Sequence, residues 1–313
     1  MKTASILALL IAAAPAAARV PDPAECEKTL DLKRAITCYT AIIDSFSSGT
    51  PSSHKVLMYR FRALLYANGD MPDKALADYT KAIKLDGGLF KGENAKARLL
   101  CERAYVYAKL GEHKKALSDH RACVAAGNAW ANEGVGETLA KLGDLAGAIR
   151  HFTRAIDSGQ RYGYVYRKRA EAYRLSGEKE KAENDAEKAV EMDPEDLAAL
   201  YLRAKTRLNS GNAQGALDDL ARLEQLTGHN NEYSSYRGLA NYLLGNRSAA
   251  ENFLKAALDA HTDSREVKLS AACYWWGLKQ DAAKARETLQ KYGSPEGAPA
   301  GMEALAECLK KLP

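Results

Sequence analysis

Residues Tyr166–Pro194 read YRKRAEAYRLSGEKEKAENDAEKAVEMDP, and this stretch decides the fold. Ala182, Ala186 and Ala189 are spaced four and seven apart, so they share one face of a helix. Ala170 and Tyr173 mark the face of a preceding helix, and Gly177 stands between the two. Glycine adopts positive φ without strain, so Gly177 ends the first helix and opens a tight turn. Pro194 stops the second helix. The stretch is a helical hairpin whose two members meet through small side chains.

Working outward, the alanine that opens the second helix recurs at Ala35, Ala75, Ala116, Ala148, Ala182, Ala216, Ala250 and Ala285. The successive spacings are 40, 41, 32, 34, 34, 34 and 35 residues, five of the seven within two of 34. A glycine stands five before the anchor at Gly111, Gly143, Gly177, Gly211 and Gly245, and six before it at Gly69, where the same turn role is expected. Twelve before it is a small residue at Ala63, Ala104, Gly136, Ala170, Ala204 and Gly238, which lets antiparallel helices approach closely. Tyr39, Tyr79, Phe152, Leu220, Leu254 and Leu289 follow the anchor by four.

The pattern resembles the tetratricopeptide repeat over roughly residues 24–292, and a fixed period with fixed residue types makes it a specific signal. The resemblance implies an all-α chain, a right-handed superhelical solenoid of about seven helical hairpins. One hairpin cannot bury its apolar face alone, so stacking supplies the core. Pro21 and Pro23 truncate the first unit, and the wide spacings place insertions at Ser45–Ser53 and Asp86–Asn94. The expected division is a signal peptide at 1–18, a truncated capping repeat at 19–54, the repeat array at 55–292, and a linker with a C-terminal helix at 293–313. The unit at 273–292 lacks the turn glycine and carries Tyr274-Trp275-Trp276.

Lys2, the apolar run Ile6–Ala14 and Ala16-Ala17-Ala18 have the layout of a secretory signal, far short of the roughly 20 apolar residues that span a bilayer. A secreted or periplasmic chain with no transmembrane anchor after cleavage is expected. The net charge of +5 is spread among carboxylates, without the density of a nucleic-acid binder.

In an oxidising compartment Cys26, Cys38, Cys101, Cys123, Cys273 and Cys308 read as three disulfides, with fifteen possible connectivities. Residues face each other in a hairpin when they are about equally far from its turn. That favours Cys101 with Cys123 across Gly111 and Cys26 with Cys38 across the turn near Leu32, leaving Cys273 for Cys308. A buried free thiol at Cys123 is the competing reading, because other units carry small apolar residues there.

The histidines, His54, His113, His120, His151, His229 and His261, have no ligand spacing, and no phosphate loop or nucleophile elbow occurs. No cofactor, metal or catalytic set is expected, and the chain reads as a non-enzymatic holder of a protein or extended peptide. Its oligomeric state is not legible. The resemblance places ligands in the groove formed by the first helices. Candidates there are Tyr59, Arg60, Arg98, Tyr105, Tyr164, Arg167, Lys168, Glu171, Arg174, Tyr201, Lys205, Tyr236, Leu239, Tyr242 and Tyr274. Sixteen tyrosines against five phenylalanines suit an interface, since tyrosine joins a rigid apolar ring to a polar tip. The basic residues favour an acidic feature on a protein or peptide partner. Anionic envelope glycan or peptidoglycan fragments are the alternative ligand. The alternative to any groove role is that the tyrosines are partly core and the basic residues solvated.

Overall fold

The computed structural model describes residues 20–28, 31–86, 95–228, 230–259, 272 and 274–292. Among them every regular element is helical, and the helices pack in sequence-adjacent pairs. Residues up to 128 and those from 129 onward form two compact units.

The first unit holds α1 (Pro23–Glu27) against α2 (Leu32–Asp44), α3 (Ser52–Asn68) against α4 (Pro72–Asp86), and α5 (Ala95–Lys109) against α6 (His113–Ala125). Helix α1 has five residues, and residues 45–51 form the loop between α2 and α3. In the second unit α7 (Asn132–Lys141) pairs with α8 (Leu145–Asp157), and α9 (Gly163–Leu175) with α10 (Lys179–Met192). They are followed by α11 (Leu197–Asn209) with α12 (Ala213–Thr227) and α13 (Asn231–Leu243) with α14 (Arg247–Asp259). A π-helical turn, Tyr274–Leu278, and α15 (Ala282–Tyr292) close the described chain.

Local chemistry sets the helix starts. The side chains of Asp31, Asp144, Asp196 and Asn212 accept hydrogen bonds from the otherwise unpaired first-turn amides of α2, α8, α11 and α12. The anchor alanines Ala75, Ala116, Ala148, Ala216, Ala250 and Ala285 are all fully buried, and Ala182 nearly so. Neighbouring hairpins complete one another's cores: Leu202 of α11 packs on Ala170 and Ala186 of the hairpin before it.

One turn differs from expectation. Gly69 has φ −91°, and the left-handed residue is Asp70, at φ 56°. The position five before the anchor is left-handed even where it is not glycine, and Gln280, φ 56°, repeats this before Ala285. Gly69 is small for another reason, because a Cβ there would lie 2.7 Å from the Leu32 side chain. Gly136 meets the expectation of close approach, since a Cβ would sit 2.8 Å from the Phe152 ring.

Two disulfides are present, Cys26–Cys38 and Cys101–Cys123, each closing its own hairpin with Cα atoms 5.6 and 5.7 Å apart. Cys123 is therefore bonded, not a free thiol. Its place suits a disulfide because Cys101 faces it from the antiparallel helix. The expected Cys273–Cys308 pair, the linker from 293 and the C-terminal helix lie outside the described residues, as does the signal segment.

Candidate binding face

In the second unit, a row of contacts runs directly between successive first helices. Lys168 of α9 places Nζ 2.5 Å from Glu137 Oε1 of α7. Glu171 of α9 accepts two hydrogen bonds from Arg174, 2.7 and 2.8 Å, and feels Lys205 of α11. Burial pushes the Glu171 carboxyl up, but the Arg174 hydrogen bonds and both positive charges outweigh it and hold it below its usual value. Tyr201 of α11 packs against Tyr233 and Tyr236 of α13 at 5.4 and 5.5 Å between centroids, with Lys205 Nζ 4.9 Å above its ring. The face thus passes from carboxylates on α7 through mixed charge on α9 to tyrosines on α11 and α13.

Four of the six expected basic residues, Arg60, Arg167, Lys168 and Arg174, pair with carboxylates. Arg167 reaches Asp196 at 3.3 Å, and Arg174 is buried beneath Glu171. Tyr164, Lys168, Tyr201, Lys205 and Tyr242 are half-buried, whereas Tyr236, Leu239 and Tyr274 are buried. In the first unit, Arg60 of α3 forms a two-pronged pair with Glu102 of α5, Nη2 lying 2.5 Å from Oε1. Burial and the hydrogen-bonded Glu102 push the nearby Tyr79 hydroxyl above its ordinary pKa. Tyr59 packs into the apolar clusters on both sides of α3. Arg98 and Tyr105 are exposed, Tyr105 by 62%.

Sequence reasoning did not single out Trp130, Glu133, Glu137 and Tyr162. Trp130, Glu133 and Glu137 follow helical spacing in and just before α7, and none occupies a repeat-motif position. That spacing was the available signal in the sequence. Trp130 and Tyr162 are 54% and 51% exposed, with centroids 6.0 Å apart. Burial first, and then the neighbouring Glu137 charge, pushes the Glu133 carboxyl up to about 7, against the opposing effect of Lys168.

Sequence reasoning also missed a structural constellation. Arg62, Arg103, Arg169 and Arg203 each form a two-pronged pair with an aspartate sixteen residues later, Asp78, Asp119, Asp185 and Asp219. In the first three, the remaining guanidinium nitrogen donates to a threonine hydroxyl of the preceding second helix, Thr40, Thr80 or Thr153. Each pair ties the two helices of one hairpin, and each threonine ties that hairpin to the one before. At the equivalent places α7 and α8 have Val135 and His151, and His151 Nδ1 lies 2.9 Å from Asn132 Oδ1 instead.

Residues 135–196 and 167–231 match the model of the tetratricopeptide repeat family. Over that span the chain carries tetratricopeptide repeats, and the paired helices on either side of it continue the same architecture. Its fold is similar to that of a tetratricopeptide repeat protein from Parabacteroides merdae, at 13% identity and TM-score 0.61, covering 82% of this chain and 98% of that one. It is similar also to pilF of Pseudomonas aeruginosa, at 16% identity and TM-score 0.58, and to PilW, a type IV pilus biogenesis factor, at 18% and 0.56. Each of these two alignments covers 71% of this chain and 98% of the other. At such identities the likeness is one of fold. Among the described residues, no helix is long and apolar enough to cross a membrane.

Proposed function

We propose that this chain is a non-catalytic scaffold that holds an extended peptide or a segment of a protein on the first-helix face of residues 130–242. One observation carries the reading: side chains of α7, α9, α11 and α13 contact one another across helix boundaries while keeping part of their surface in solvent. Such a surface is preformed, so a partner need not order it on binding. Its tyrosines offer apolar contact with polar tips. Lys168, Arg174, Arg167 and Arg60 already hold carboxylates, which leaves little unbalanced positive charge for an anionic glycan.

The proposed location is the cell envelope or the space beyond it. The secretory layout of residues 1–18 and two disulfides within single hairpins support this, because disulfides persist in oxidising compartments. The test is capture of a partner from envelope extract by the wild-type chain and by the triple variant Tyr164→Ala, Lys168→Ala, Lys205→Ala. Loss of the captured protein with an unchanged melting temperature supports the face; retention at wild-type yield refutes it.

A further inference from the structure

We infer that the seam between α7 and α9 receives a basic side chain, a lysine or arginine of the held segment, between the Trp130 and Tyr162 rings and the Glu133 carboxylate. This rests on the proposal that the chain holds a peptide or protein segment, and adds which side chain that segment presents.

Two contacts bracket the seam. At its start Trp130 meets Tyr162, just before α9, and further along Glu137 of α7 meets Lys168 of α9. Glu133 lies between them, three residues after Trp130 and four before Glu137, hence on the same side of the helix. Its carboxylate is half-buried, yet among the described residues no hydrogen bond or ion pair reaches it. Lys168, the positive charge nearest in the seam, is matched by Glu137. The seam therefore sets two carboxyl groups, Glu133 and Glu137, against the single ammonium of Lys168.

The ring pair is independent of the carboxylate. Both rings are more than half exposed, and Trp130 precedes Glu133 by about one helical turn. Aromatic faces attract cations through their quadrupole, and a carboxylate supplies a charge-assisted hydrogen-bond acceptor. Rings together with two carboxyl groups that share one ammonium select a cationic group over an anionic or purely apolar one. Lysine and arginine carry such a group on a stem long enough to reach Glu133 past the rings.

The test pans a random dodecapeptide phage library against the purified wild-type chain, Glu133→Gln, Glu133→Asp and Trp130→Ala, with circular dichroism melts confirming that each variant folds. Peptides enriched on wild type and on Glu133→Asp are expected to share one lysine or arginine position. The preference should vanish on Glu133→Gln, and a synthetic consensus peptide should bind Glu133→Gln and Trp130→Ala about tenfold more weakly. Replacing its basic residue by norleucine should weaken wild-type binding similarly and abolish the difference between wild type and Glu133→Gln. Enriched peptides without a basic position, or binding lost on Trp130→Ala but not on Glu133→Gln, would overturn this inference while leaving the holding function intact. Failure of any peptide to enrich on wild type would count against peptide holding itself.

Discussion

Arg169 and Asp185 clasp each other across the α9–α10 hairpin, with Nε 2.6 Å from Oδ2 and Nη2 2.9 Å from Oδ1. Both side chains are largely withdrawn from solvent. The same clasp at the same sixteen-residue separation occurs at Arg62, Arg103 and Arg203, so it fixes hairpin geometry repeat by repeat. The α13–α14 hairpin departs from it: Phe253 stands where the aspartate would, and Arg237 lies over its ring at 4.5 Å while pairing with Glu224.

Asp185→Ala leaves the Arg169 guanidinium buried without its main partner. The expected loss is about 3 kcal/mol, read by urea denaturation. The double variant Arg169→Met, Asp185→Leu should recover most of it, because both desolvated charges are then gone. A single variant as stable as wild type would show that the clasp contributes nothing net.

Gly136→Ala forces a methyl against the Phe152 ring, which is fully buried and cannot move away freely. A cost of about 1–3 kcal/mol is expected. Phe152→Leu in the same chain should restore part of it, since the contact is with ring carbons. Thermal melts of the single and double variants check both statements.

Asp70 and Gln280 occupy left-handed turns, a conformation that strains residues with a Cβ. Asp70→Gly should therefore stabilise the α3–α4 hairpin by about 0.5 kcal/mol, less than the full strain because glycine also enlarges the unfolded ensemble. Destabilisation on this change would mean that the aspartate side chain contributes more than its backbone strain costs.

Glu133 makes stability pH-dependent. Its carboxyl titrates near 7 in the folded chain against 4.5 as the ordinary value, so the folded state binds more protons between those limits. Its contribution is present in full below pH 4.5 and is lost as pH rises through 7. The size is on the order of 1 kcal/mol, reduced by solvent screening of a half-exposed group. Glu133→Gln should flatten this part of the stability profile between pH 5 and 8, and an unchanged slope would exclude Glu133 as its source.

Replacing Cys101 and Cys123 by serine should cost about 3 kcal/mol, because a loop of 22 residues is released in the unfolded chain. A non-reducing peptide map should join Cys101 to Cys123 and Cys26 to Cys38.

The amino-acid sequence by itself determined the hairpin, its period and its close contacts. Ala170, Gly177 and Ala182 act within one unit, where helical geometry converts spacing directly into position. For that reason Gly136 could be assigned to a close approach of two helices before any coordinates, while its contact with the Phe152 ring came from the structure. The pairings Arg169–Asp185 and Cys101–Cys123 also lie within a single hairpin. The cysteines yielded to distance from the turn, whereas the Arg–Asp recurrence was visible in principle but overlooked. Only the tertiary structure decided that Lys168 belongs to Glu137, Arg167 to Asp196, and Tyr201 to Tyr233 and Tyr236. Most of these contacts cross from one repeat to the next. Their partners depend on how far each hairpin rotates and slides on its neighbour, which summed packing of many small side chains sets and no local spacing encodes. The left-handed turn at Asp70 was also decided by the structure, but within its own hairpin. The geometry of the hairpin imposes that conformation on whichever residue stands five before the anchor.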